Sequence, residues 1–355
     1  MTLGSSHTPP IRAVDLFCGV GGLTHGLTRG GIDVVAGYDL DRTCKYAFEA
    51  NNKAIFVEKD VAELTAAEIG DRLGDHAITL VAGCAPCQPF STYSRTGRAD
   101  RSSEDWSLVA NFGRLVQDVQ PDLVTMENVP ALQDHPVFKE FIQALEGYAV
   151  TYRIVQCATI GVPQTRKRLV LVGSKLGGVA PSLDWPAGDK VTVRQAIATL
   201  PALQAGERSD NDPIHLACRL SEINLRRIRA SRPGGTWREW PVELRATCHR
   251  KVTGDTFPAV YGRMEWDQPA PTMTTQCFGY GNGRFGHPEQ DRAITLRESA
   301  ILQTFPNDYQ FVNKGDRVKF SHLGRLIGNA VPVRLGEKIA QTLRSHVDAV
   351  ICSRN

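Results

Sequence analysis

Ile11-Arg12-Ala13-Val14-Asp15-Leu16-Phe17, followed directly by Cys18-Gly19-Val20-Gly21-Gly22, decides the fold class. The first seven residues are mostly apolar and read as a buried strand. The glycine cluster then turns the chain into a segment of helical spacing, residues 23–29. Strand, glycine turn and helix in succession open a nucleotide-binding α/β unit. The glycines do not follow the dinucleotide spacing, and no P-loop lysine accompanies them. A glycine turn lets the backbone approach a ligand closely, and Asp15 just before it can accept from an amino group. A plain strand-to-helix turn explains the same residues equally well at this point.

The alternation continues. Residues 32–38, 54–61, 78–82, 122–126, 151–157 and 168–172 read as further strands, with helices over 43–51, 62–73 and 107–119. That pattern predicts a doubly wound, mostly parallel sheet. The second strand ends in Asp39-Leu40-Asp41, about 20 residues beyond the glycines, where an acidic group meets ribose hydroxyls. Asp60 ends the third strand in the same way. Each aspartate could equally cap a helix, but three acidic strand ends in a row favour a nucleoside ligand.

The fourth strand runs into Gly83-Cys84-Ala85-Pro86-Cys87-Gln88-Pro89-Phe90-Ser91. Cys84 and Cys87 have the spacing of a redox dithiol or half a metal site. Alternatively Cys87 is a lone nucleophile, held by Pro86 and followed by a polar loop, residues 92–106, suited to closing over a substrate. The next strand delivers a carboxylate, Glu127, to the same sheet edge. Further on, Arg166 and Arg168 alternate in an extended segment and so share a face; a solvated surface pair is the blander reading.

The chain has 355 residues, 42% hydrophobic and 22% charged, which is ordinary for a folded soluble protein. No apolar run is long enough to cross a bilayer, and the start lacks a signal-peptide pattern. Nine scattered cysteines argue for a reducing cytoplasm over a disulfide framework. After residue 174 the strand–helix alternation fades. Residues 181–213 are rich in Pro, Gly, Asp and Ala, with one helical patch over 193–200. Residues 219–251 hold nine Arg or Lys against three Glu, a balance of +6 in a chain of net charge +3. Trp237 and Trp240 sit among those arginines, and Gly234-Gly235 supplies a flexible approach. Such a segment suits phosphate neutralisation and entry into a groove, although an arginine-rich helix in solvent would look similar.

Together these motifs resemble the cytosine-5 DNA methyltransferase family, in the family's order and over most of the chain. Residues 15–22 resemble its cofactor loop. Pro86-Cys87-Gln88-Pro89-Phe90-Ser91 resembles its nucleophile motif, Glu127-Asn128-Val129 its carboxylate motif, and Gln164-Thr165-Arg166-Lys167-Arg168 its arginine motif. Residues 297–306 and Gly328-Asn329-Ala330-Val331-Pro332 match its last two blocks. The redox reading of Cys84 recedes, leaving it a packing residue.

The resemblance implies a Rossmann-like methyltransferase sheet formed by residues 1–190 plus 320–355, and a smaller, irregular, β-rich target-recognition domain over 191–319. It implies Cys87 as the nucleophile that adds to carbon 6 of a cytosine, Glu127 on the ring nitrogen and exocyclic amine, and Arg168 with Arg166 holding both. Methyl transfer from S-adenosylmethionine to carbon 5 would leave S-adenosylhomocysteine, with no metal required. Cofactor contacts fall on Asp15, Phe17, Cys18, Gly19, Gly22, Asp39, Leu40, Asp60, Val61, Pro86 and Asn329. The family often has an aromatic residue where this chain has Leu40. DNA contacts fall on Ser91, Arg95, Arg232, Gly234, Gly235, Arg238 and Arg263, and residues 91–101 would close over an extruded base. Double-stranded DNA is the implied partner, for a monomer in a bacterial cytoplasm at the nucleoid, with a restriction endonuclease acting separately. Glu298 in the 297–306 block is expected to be a buried ion-pair partner. A tRNA cytosine methyltransferase and a non-catalytic DNA-binding relative are the alternatives.

Overall fold

The computed structural model describes residues 9–75, 77–86, 104–251 and 257–354, with 104–106 described by their helical backbone alone. The strands are β1 (Ile11–Leu16), β2 (Asp33–Asp39), β3 (Ile55–Glu58), β4 (Ile78–Gly83), β5 (Leu123–Asn128), β6 (Ala149–Gln156) and β7 (Lys167–Ser174). The helices are α1 (Gly22–Arg29), α2 (Lys45–Asn51), α3 (Ala66–Leu73), α4 (Glu104–Val119), α5 (Pro136–Ala144), α6 (Val193–Ile197), α7 (Glu222–Arg229), α8 (Leu296–Leu302), α9 (Phe320–Asn329) and α10 (Val333–Arg354). They divide between two compact units. The first comprises residues 1–156, 167–186 and 331–355, the second residues 157–166 and 187–330.

All seven strands form one sheet in the first unit, in the order β3-β2-β1-β4-β5-β7-β6. The pairs β1–β2, β2–β3, β1–β4 and β4–β5 are parallel, while β7 runs antiparallel between β5 and β6. The sheet is therefore mixed, with a parallel main body. Apolar runs in β1, β4 and β5 form strands buried on both faces, as a sheet covered by helices requires. Val14, Leu16, Val81, Val124 and Met126 pack one face against α3, α4 and α5.

Helices α1 and α10 pack against each other, backbone to backbone. A Cβ on Gly26 would lie 2.3 Å from the Val333 carbonyl oxygen and 2.7 Å from Gly336 Cα. Only glycine permits that approach. Beside the crossing, Arg29 Nε donates to Glu337 Oε1 at 2.6 Å. The neighbouring strands β1 and β4 are where chain order reverses across the sheet, the place where open α/β sheets bind ligands beyond the carboxyl ends of their strands.

The second unit departs from the β-rich expectation. Among its described residues, strand-like pairing is limited to isolated bridges such as Pro233↔Arg263 and Gly286↔Ala293. Short helices and 3-10 turns carry the rest. Frequent Gly and Pro break every alternating run before a ladder can form. Buried arginines satisfy the loop carbonyls instead. Arg292 pairs with Glu298 at 2.7 and 2.8 Å, while the Thr295 amide donates to the same carboxylate at 2.7 Å. Arg297 holds Asp212 and the Tyr309 carbonyl.

Glu298 is thus the buried ion-pair partner foreseen. Burial works to raise its pKa, but the Arg292 hydrogen bonds and charge outweigh burial and lower it. Residues 157–166, 187–190 and 320–330 lie with the second unit rather than with the sheet. The reason is local: Gln164 Nε2 donates to the Leu302 carbonyl and to Gln303 Oε1, both at 2.7 Å.

Candidate active site

Three strand ends and the glycine turn build the first half of the site. Phe17, Gly19 and Gly21 all have positive φ (59°, 51° and 86°), so the chain reverses sharply between β1 and α1. Phe17 carries this conformation despite its Cβ, a strain that the surrounding fold must sustain. Asp39 at the end of β2 fixes the turn: its Oδ2 accepts from the Gly19 amide and its Oδ1 from the Asp41 amide, both at 2.8 Å. A Cβ at Gly19 would meet nothing within 4 Å, so open space adjoins the turn.

Asp15 lies beneath that turn, 1% exposed. Thr24 Oγ1 donates to its Oδ2 at 2.6 Å, while Oδ1 is buried without a hydrogen-bond partner. Burial pushes the Asp15 carboxyl up to about 7; hydrogen bonds from Thr24 oppose the rise and the charge of Asp39 adds to it. An unsatisfied buried carboxylate oxygen beside an open glycine turn fits a ligand carrying a cationic amino group. The donor set therefore suits the amino-acid end and ribose of S-adenosylmethionine.

The remaining expected cofactor residues are placed unequally. Leu40 follows Asp39 and is 67% exposed, an apolar surface next to the acidic strand end. Asp60 follows β3 and caps a 3-10 turn, accepting from the Ala62 amide at 2.8 Å. Val61 lies in the core with Leu64 and Ile69, so its side chain is withdrawn and only its main chain could meet a ligand. The Cys18 thiol is likewise turned inward, where a Cβ on Gly37 would lie 2.7 Å from its Sγ. Burial raises its pKa well above the usual thiol value. Gly22 is the buried first residue of α1, and Pro86 is exposed beyond β4.

The second half of the site lies beyond β4 and β5. Their register pairs Gly83 with Met126, so Cys84 and Glu127 come next at the same edge. Glu127 is 2% exposed. Arg168 on the adjacent strand β7 brings Nε to 2.8 Å from Glu127 Oε1, a contact of charges that is not aligned as a hydrogen bond. The Cys84 thiol donates to Glu127 Oε2 at 2.8 Å. Asn128 Nδ2 donates to the Ala85 carbonyl at 3.0 Å, and the Cys84 amide to the Leu16 carbonyl at 3.3 Å. The segment leading to Cys87 is therefore tied both to the carboxylate strand and to the strand that precedes the glycine turn.

Asn128 and the Cys84–Glu127 bond were not foreseen from the sequence. Asn128 falls inside the carboxylate motif and Cys84 three residues before the nucleophile, but neither position says what its side chain touches. Cys87, Ser91 and Arg95, with the expected lid of residues 91–101, lie outside the described residues.

Arg166 and Asn329 belong to the second unit. Arg166 is 2% exposed, and its terminal nitrogens donate to the carbonyls of Met273, Gly328 and Ala330. Those bonds tie Arg166 to carbonyls within the second unit, whereas Arg168 is the arginine in contact with Glu127. Asn329 is exposed in the last turn of α9.

Arg263, expected on DNA, is instead 5% exposed. It donates to the carbonyls of Ile228, Ser231, His287 and Gln290 and pairs with Asp291. Its donors are consumed inside the unit, which removes it from the candidates for phosphate contact. Trp237 and Trp240 are also buried, with Trp237 stacked on His249 at 4.2 Å. The Gly234-Gly235 turn is held rather than flexible: the Gly234 amide donates to the Arg263 carbonyl, and Arg284 donates to the Gly235 carbonyl at 2.8 Å. Arg232 and Arg238 are exposed, Arg232 pairing with Glu239 at 2.6 Å.

No helix among the described residues is long and apolar enough to cross a membrane. Comparison with known proteins places the chain. The Type II methylase M.HgiDII of Herpetosiphon aurantiacus is 48% identical over 344 residues, covering 95% of this chain and 96% of its own. The Type II methyltransferase M1.HphI of Haemophilus parahaemolyticus is 31% identical, covering 93% and 86%. Among solved structures, the Entamoeba histolytica methyltransferase EhMeth is similar in fold at 15% identity, with a TM-score of 0.64 over 95% of this chain and 99% of that one. The C-5 cytosine-specific DNA methylase family model matches residues 11–345, and the chain belongs to that family.

Proposed function

We propose that the chain methylates carbon 5 of cytosine within one short duplex DNA sequence, with Cys87 as nucleophile and Glu127 and Arg168 as the groups that meet the base. The observation that carries this reading is the buried Glu127 carboxylate, set between Arg168 and the tethered root of Cys87. Carbon 5 of cytosine is a poor nucleophile. Addition of the Cys87 thiolate to carbon 6 breaks the ring conjugation and makes carbon 5 electron-rich, splitting one difficult step into two. Glu127 faces the ring nitrogen and exocyclic amine and offsets the charge that develops on addition. Arg168 keeps that carboxylate in place.

S-adenosylmethionine, when bound, supplies a methyl group activated by its sulfonium. Asp15 and the turn at Gly19 and Gly22 hold the methionine end, Asp39 the ribose hydroxyls, and Phe17, Leu40 and Asp60 the adenine. Loss of the carbon 5 proton to water or another base then restores the ring double bond and expels Cys87 as its thiolate. The target carbon is shielded inside a stacked duplex, so the base must leave the stack.

The second unit serves as the target-reading part, with exposed Arg232 and Arg238 neutralising phosphates and the Gly234-Gly235 turn presenting the chain to a groove. The protein works as a monomer in a bacterial cytoplasm, with a restriction endonuclease of the same specificity acting separately.

The test is sequencing of genomic DNA from cells expressing the chain, read for 5-methylcytosine, beside a Cys87→Ala control. Methylation at one short motif, absent in the control, is expected. Transfer of methyl to tRNA with DNA unmodified would replace this reading, and DNA methylation retained in Cys87→Ala would refute the covalent step.

A further inference from the structure

The Cys84 thiol has no part in the steps above, yet among the described residues it makes a side-chain hydrogen bond to a Glu127 oxygen. Its Sγ lies 2.8 Å from Glu127 Oε2 and donates to it. Glu127 carries two oxygens with about four acceptor directions, and rotation of the carboxylate about its last torsion is broad and nearly two-fold. Arg168 Nε sits 2.8 Å from Oε1 without hydrogen-bond alignment, so it fixes a distance and not a plane. The thiol supplies the missing constraint. Its own position is set by the main chain, through the Cys84 amide on the Leu16 carbonyl and the Asn128 side chain on the Ala85 carbonyl.

We propose that Cys84 is a positioning residue for methyl transfer: its S–H holds the plane of the Glu127 carboxylate in the orientation that meets the edge of the target base. This rests on the reading of Glu127 as the group that contacts the base. A side chain that merely filled space would leave the carboxylate free to rotate. A donor at this position keeps the carboxylate oriented before the base arrives, so no reorganisation is needed as charge develops.

The test uses the full chain with Cys84→Ala and Cys84→Ser, in steady-state transfer to duplex DNA. Loss of one donor to a carboxylate predicts that Cys84→Ala lowers kcat about 10-fold, with KM for DNA and for S-adenosylmethionine within about 2-fold. Cys84→Ser keeps a donor and restores kcat to within about 2-fold of the parent. The infrared S–H stretch of the substrate-free protein reads the bond itself. The parent-minus-Cys84→Ala difference spectrum should show a band lowered in frequency by hydrogen bonding, and the band should move in Glu127→Gln.

Equal loss in the Ala and Ser variants, an effect confined to KM, or an S–H band at the frequency of a solvent-exposed thiol would each overturn the proposal. Unimpaired kcat in Cys84→Ala, while the parent methylates DNA, would overturn it and leave the proposed function standing. A parent that transfers no methyl to DNA would overturn both.

Discussion

Replacing Asp15 by Asn tests the idea that the first unit carries an electrostatic penalty which its cofactor relieves. The Asp15 carboxyl is buried, with one oxygen bonded to Thr24 and the other unsatisfied, and burial pushes its pKa from the ordinary 3.8 up to about 7. A raised acid binds its proton more tightly in the folded protein than in the unfolded chain. Between about pH 4 and pH 7 the folded state therefore holds more protons, and stability falls as pH rises through that window. That rise corresponds to about 4 kcal/mol at full ionisation, an upper bound for a site that relaxes.

Asn cannot ionise, so the parent should lose stability relative to Asp15→Asn by up to about 3 kcal/mol between pH 4.5 and pH 8. Urea denaturation of both proteins across that range, without cofactor, gives the difference directly. A ligand with a cationic amino group beside Oδ1 reverses the sense. Cofactor affinity of the parent should rise with pH up to about 7, and that of Asp15→Asn should not. Parallel stability curves for the two proteins would refute the reasoning.

Three further outcomes are expected. Gly26→Ala forces a Cβ into the backbone of α10 and should lower stability by about 3 kcal/mol, read as a shift in the urea midpoint. An unchanged midpoint would mean that the two helices do not cross so closely. Arg168→Ala should lower kcat about 100-fold or more while leaving cofactor affinity unchanged, since the Glu127 contact is lost and the glycine turn is untouched. In salt titrations of DNA binding, Arg238→Ala should reduce the slope of log affinity against log salt by about 1. Arg263→Ala should leave that slope unchanged and cost about 3 kcal/mol of stability, because it removes a buried donor from Asp291 and from four carbonyls.

The sheet was legible because its strands are short apolar runs covered on both faces, bounded by Gly, Asp and Pro. Helix α5 was not foreseen, although Pro136 at its first position and the buried Val137, Phe138 and Phe141 carry a helical pattern. Helix α9 was also missed, although Gly328, whose carbonyl accepts from Arg166, lies within it. The second unit was misread as β-rich because local propensity says nothing about arginines that reach carbonyls far along the chain. For the same reason Arg263 read as a DNA contact and Arg166 as a partner of Arg168 at the base.

The pairing of Cys84 with Glu127 depends on register. The two residues are 43 positions apart, and only the alignment of Gly83 with Met126 shows that they are neighbours. Of the candidate site, Asp15, Asp39, Glu127 and Arg168 could be named from sequence, because charged groups at successive strand ends fall in motifs that follow one another in order. What each one touches could not.

The crossing of α1 and α10 has a consequence for how the protein is made. Arg29 and Glu337 stand 308 residues apart in the chain, yet the glycine face beside them is complete only when both helices are present. At 5–20 residues per second, a ribosome would need roughly 15–60 s between making the first helix and making the second. Throughout that interval the groove on α1 lies bare. A nascent or prematurely terminated chain would therefore lack a finished sheet domain and would not modify DNA, whichever motifs it had already acquired.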